Sequence, residues 1–207
     1  LAVIGAVPAL LIPSTGAAAI HDVRGVQGSL LSRSILPWLM CAAAGGAAVA
    51  AIEIGAVALA LNFGYEPALA ILFKVPLCLS SVAGGIWVSV RNRMATRKAV
   101  LAQLVIMALG SALAALTLSV TTTIIATVLI GSVLAPLSTY YSLRLDQLAP
   151  PQRRAEVFAL LRTANAMGVI FTSAVLTFVS LSMALIVVTG LMIVVILVVG
   201  MTARSPA

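Results

Sequence analysis

Charge is what this chain has least of. Asp, Glu, Lys and Arg make up 8% of its 207 residues, against about 25% in an ordinary soluble domain, and only five of them are acids. Histidine occurs once, as His21, and cysteine twice, as Cys41 and Cys78, both inside apolar runs. That leaves no spacing for a metal centre or a disulfide framework, so no cofactor is expected and both thiols are expected to pack as inert side chains. No GxxxxGK[ST] pattern occurs, so a proton gradient is expected to drive any transport in place of a nucleotide. An enzyme is not expected either, because no nucleophile and base fall together at membrane depth.

What is present is apolar material: 62% of residues are hydrophobic and the mean hydropathy is +1.21. A sequence pI near 10.5 and a formal charge of +7 would suggest a nucleic-acid partner in a polar chain. Here the basic residues lie between long apolar runs, so a membrane is the expected partner and nucleic acid is not. After a first apolar piece at 1–13, six stretches each reach the roughly 20 residues that a spanning helix needs. They are 35–61, 67–90, 99–119, 122–145, 156–178 and 182–202. Between them lie "NFGYEP", "RNRMATRK", "SVTT", "DQLAPPQRRAE" and "SLS", short breaks suited to helical hairpins. The expected fold class is an all-α integral membrane bundle of six helices.

The distribution of cations sets the expected orientation. Successive connections lie on opposite faces, and 19–34, 91–98, 144–154 and the tail together carry ten Lys or Arg, whereas 62–66, 119–122 and 179–182 carry none. By the positive-inside rule the basic connections and the C-terminus are cytoplasmic, in a multi-pass protein of the plasma or inner membrane. Trp38, Trp87, Tyr140 and Tyr141 are expected at that interface.

Residues 35–202 resemble the C-terminal half of a major facilitator superfamily transporter. "GGIWVSVRNRMATRKAVL" looks like the second copy of the family's cytoplasmic motif, with Gly84, Gly85, Arg91, Arg93, Arg97 and Lys98 at its defining places. "APPQRRAEVFALLRTANAMG", Ala149 to Gly168, is similar to the entry into the eleventh helix of bacterial drug and sugar efflux members. The acid and second glycine usual in the full cytoplasmic motif are missing here. The resemblance implies that 1–18 end an upstream transmembrane helix, 19–34 form the central cytoplasmic linker, 35–202 the six-helix half and 203–207 a tail. It also implies two inverted three-helix repeats, 35–119 and 122–202, and a missing N-terminal half; the chain, which begins at Leu1, is expected to be a piece of a longer one. The expected function is proton-coupled efflux of a small molecule by alternating access. The competing expectation is a non-transporting scaffold or an inactive half-transporter fragment.

Charges within the bilayer cost about 2.5 to 3.5 kcal/mol each on insertion scales, so they mark candidate sites. Glu53 and Lys74 lie 11 and 10 residues either side of Gly64, at nearly equal depth. Their stripes of small residues suggest an ion pair between antiparallel neighbours, either in the transport path or purely structural. Arg162 lies eight residues into its apolar segment, as Lys74 does, and the two cations would correspond in an inverted repeat. Asn165 follows on the same segment. Asp146 and Glu156 are the candidates to pair with Arg91 or Arg93 as a cytoplasmic charge latch.

Overall fold

A computed structural model describes residues 35–91, 96–116 and 119–202, and within these it contains helices and no strand. Six of the helices are long and apolar enough to cross a membrane. They are α1 (Leu36–Asn62), α2 (Pro67–Arg91, opening with a 3-10 turn), α3 (Arg97–Leu116), α4 (Val120–Leu148), α5 (Arg154–Phe178) and α6 (Leu181–Thr202). The expected upstream helix at 1–18, linker at 19–34 and tail at 203–207 lie outside the described residues.

Local chemistry fixes where each helix stops. Gly64 adopts φ 75°, which glycine reaches without a Cβ penalty. Its N–H donates to Leu61 O at 3.0 Å and that of Tyr65 to Ala60 O at 2.9 Å, the paired bonds of a Schellman motif that close α1. Pro67 then starts α2, with Glu66 held extended before it. Ser119 caps α4 reciprocally: Thr122 N–H donates to Ser119 Oγ at 3.2 Å, and Ser119 N–H donates to Thr122 Oγ1 at 3.0 Å. The sequence places this helix at 122–145, but it runs from Val120 to Leu148. Apolarity marks where a helix crosses lipid, whereas the cap and the Pro150–Pro151 break mark where the helix itself begins and ends.

The largest buried cluster joins α1, α3, α4 and α6, with Ile52, Leu104, Met107, Ile130, Leu137 and Met192 among its fully buried side chains. The principal pairings are α1 with α5 and α6, α4 with α2 and α3, and α3 with α6. The flanking helices α2 and α5 bury little: Phe73, Leu77 and Gly84 along Ile71–Arg91, and Val157, Gly168 and Thr172 in α5. Large apolar side chains such as Leu79, Val82, Ile86, Ile170 and Phe178 stand exposed, as expected of surfaces solvated by lipid.

Small residues hold the flanking helices on. A Cβ at Gly168 of α5 would strike the carbonyl of Ala43 and come within 3.0 Å of Ala47 N, and one at Gly46 of α1 would lie 2.5 Å from Asn165 Oδ1. The α2–α4 contact has the same construction, with Gly84 against the Ser132 carbonyl and Gly131 against Ser80 and the Leu77 carbonyl. Pro136 lies four residues after Ser132 and has no N–H to give it, so the helix ladder leaves this carbonyl free, and Gly84 packs on it. In lipid no hydrophobic gain drives helices together, so such close approach supplies dispersion contact and hydrogen bonding instead.

Candidate functional site

A cavity of about 580 Å³ opens between α1, α4 and α5. Ala42, Gly45 and Gly46 form its α1 wall, and the last three turns of α4 contribute Leu137, Ser138, Tyr141 and Ser142. α5 contributes Phe158, Leu161, Arg162 and Asn165. These residues lie 4 to 11 positions from the start of α5 and 6 to 10 from the start of α1, so the cavity occupies the half of the bundle nearest the α4–α5 connection. At about 1.5 Å per residue its depth is roughly 6 to 17 Å below that end.

The small residues that bring α5 onto α1 also position the polar wall. Asn165 sits against Gly46, and one turn before it Arg162 projects into the same space. Arg162 is exposed and makes no hydrogen bond or ion pair among the described residues. Among the described residues it is the one charged side chain in the cavity wall. The hydroxyls of Ser138 and Ser142 donate to their own helix, to Ala135 O at 3.0 Å and Ser138 O at 2.9 Å. Their protons are thus engaged and they present lone pairs to the cavity. Thr163, beside Arg162, likewise donates to Ala159 O at 2.9 Å. Thr172 differs: its hydroxyl crosses to α1 and donates to Ala47 O at 3.1 Å.

Glu53 and Lys74 are both exposed, and no ion pair joins them among the described residues. The expectation of a pair is corrected by helix geometry. α1 meets α2 through Ala56, Leu59 and Ala60 against Ala70 and Phe73. Phe73 therefore takes the α1-facing position, and Lys74, one residue on, is turned about 100° away. Glu53 stands on the stripe of Gly46, two turns and roughly 10 Å from the cavity wall.

The expected latch also resolves differently. Arg91 lies over the Trp87 ring, 5.0 Å from its centroid. Asp146 instead faces Arg154 at 3.4 Å, and Glu156 faces Arg153 at 2.9 Å, so both acids serve the α4–α5 connection. Arg93 lies outside the described residues, and of Arg97 only the backbone is described. Lys98 is exposed. Gly84 serves the α2–α4 contact, and Gly85 lies at ordinary van der Waals distance from Ala135.

Tyr140 and Tyr141 lie at the level of Trp38, as expected, but are buried and pack on it, with ring centroids 5.4 and 6.4 Å away, so they form a joint between α1 and α4. Trp87 is half exposed and retains an interfacial character. The cavity itself was not visible in the sequence as a set. Its signal was the recurrence of Arg162 and Asn165 one turn apart on the least apolar of the six helices.

These features define a multi-pass helical membrane protein with a largely apolar cavity that carries a few polar side chains. No family model matches the chain, and no curated protein matches it.

Proposed function

We propose that this chain is one half of a secondary active transporter that moves a small molecule by alternating access. The observation that carries the proposal is the cavity between α1, α4 and α5, with Arg162 and Asn165 in its wall at a depth where unpaired polar groups are costly. A purely structural bundle gains nothing from holding a cation there without a partner.

The helix pairing supports an inverted repeat of α1–α3 and α4–α6. Exchanging α1 with α4, α2 with α5 and α3 with α6 swaps the α1–α5 pairing with α2–α4 and the α1–α6 pairing with α3–α4, and leaves α3–α6 unchanged. The close contacts follow the same exchange, Gly46 with Gly131 and Gly84 with Gly168, at separations of 85 and 84 residues. In that register Lys74 corresponds to Phe158 and Arg162 to Cys78, so the two cations are not equivalent. In such repeats substrate sites lie near the repeat interface, and an N-terminal half would cover the exposed faces of α2 and α5.

Glu53 is the acid deepest within a described span and stands exposed on the α1 stripe that leads outward from the cavity. We assign it the coupling proton, with efflux as the direction and the basic connections in the cytoplasm. The test is flux in proteoliposomes of the chain together with whatever its gene encodes upstream, assayed with a panel of organic cations, sugars, amino acids and organic anions. Proton-driven flux of one class, lost in Glu53→Gln while substrate exchange persists, is the expected result. A folded protein that moves none of them would leave the scaffold or inactive-half alternative standing.

A further inference from the structure

We infer that the cavity between α1, α4 and α5 selects an amphipathic organic anion: a carboxylate, sulfonate or phosphate carried on an apolar body. The inference rests on the transport proposal for its biological meaning but not for its chemistry. Among the described residues the wall holds one charge, the Arg162 guanidinium, and no carboxylate. Guanidinium presents five N–H donors in a planar fork that matches the oxygens of a carboxylate or phosphate, and no described residue occupies any of them. Asn165, one turn away, adds an amide whose N–H₂ can donate to the same oxygens.

The rest of the wall sets the body of the ligand. Phe158, Leu161, Leu134, Leu137 and Met107 offer an apolar and partly aromatic surface. Ser138 and Ser142 have committed their protons to backbone carbonyls, so toward a ligand they act as acceptors, whereas the donors for the anionic group come from Arg162 and Asn165. An organic cation would meet Arg162 without any compensating acid. Glu53, the nearest candidate along α1, stands about two turns outward. At about 580 Å³ the volume is within the range of small-molecule sites.

The anion could come from solution or from the membrane, as a fatty acid or an anionic lipid headgroup; the recognition chemistry is the same. The test uses three probes of one shape: tritiated 2-naphthoate, 2-naphthamide and 2-naphthylmethylamine. Each is bound to the chain, together with whatever its gene encodes upstream, in phosphatidylcholine nanodiscs. Naphthoate is expected to bind about tenfold or more tighter than the amide, the scale of a charge-assisted hydrogen bond, and the amine weakest. Arg162→Gln should erase the difference between acid and amide, and Arg162→Lys should keep part of it. Arg91→Gln, which removes a cation lying over Trp87 outside the cavity, should leave the preference in place and so exclude general attraction to a basic protein. Adding phosphatidylglycerol separates the sources: displacement of naphthoate identifies a membrane-borne anion, and unchanged affinity a soluble one. Equal affinity for all three probes, or a preference that survives Arg162→Gln, would overturn the inference while leaving the cavity a binding site. No binding of any probe by a protein with an intact melting transition would overturn the inference, while the transport proposal stands or falls on the flux panel.

Discussion

Substituting Gly168 by alanine adds one methyl group at the closest point of the α1–α5 contact. That methyl has no room: it would meet the Ala43 carbonyl, with the carbonyl carbon at 2.8 Å and Ala47 N at 3.0 Å. Both are backbone atoms, so relief requires the helices to part, because no side chain can rotate away. Overpacking of this kind costs typically about 1 to 3 kcal/mol. Parting the helices also stretches the bond from Thr172 to Ala47, a further ~0.6 kcal/mol by the mean for such bonds in membranes. The expected loss is therefore about 2 to 4 kcal/mol. Gly190→Ala in α6 is the control, since nothing lies within 4 Å of its added methyl and the gain in helix propensity is at most about 1 kcal/mol. Unfolding by SDS in mixed micelles, followed by far-ultraviolet circular dichroism, gives both values. Equal stabilities for the two variants would refute the close α1–α5 packing on which the position of Asn165 and Arg162 depends.

Thr172→Val keeps the shape and removes the interhelical bond, and the same assay should read a loss of about 0.6 to 1.7 kcal/mol; no loss would count against a stabilising bond from Thr172 to Ala47. Glu53→Gln and Lys74→Met should have additive effects on stability within about 0.5 kcal/mol, because the two side chains are not paired. A coupling energy well above that in the double-mutant cycle would restore the ion pair. Ser119→Ala removes the cap of α4 and should cost about 0.5 to 2 kcal/mol in the unfolding measurement, with an unchanged value counting against the capping box.

The six spans were legible because crossing a bilayer imposes length and apolarity on a contiguous stretch, and sequence displays both. Helix ends were less so. Ser119 and Thr122 cap α4 through geometry that hydropathy does not register, and the polar last turn to Leu148 continues because no breaker precedes Pro150. The glycine pair late in α2 was also readable as a place of close approach: Gly84 lies against the Ser132 carbonyl in the α2–α4 contact, while Gly85 stands at ordinary distance. The partner of a stripe was not readable. Gly46 and Glu53 suggested contact with α2, but that stripe faces α5, a helix more than 90 residues later in the chain. For the same reason the Glu53–Lys74 pair failed: equal depth fixes one coordinate of a side chain, and the azimuth was taken by Phe73. Asp146 and Glu156 went to Arg154 and Arg153, neighbours across the α4–α5 connection that need no long-range approach. Arg162 and Asn165 were visible as polar residues in an apolar segment, whereas the cavity that joins them to Gly46 and Ser138 required the packing of three helices.

Water access to the cavity tests the transport proposal most directly. A single cysteine at Ser138, in a chain with Cys41 and Cys78 replaced by alanine, is exposed to a membrane-impermeant maleimide in vesicles of known orientation. Rapid labelling from the side of the α4–α5 connection, slowed by a bound ligand, is the expected result. A cysteine that labels from neither side, while one placed at the exposed Gln152 labels freely, would contradict an aqueous pathway and leave a sealed structural bundle.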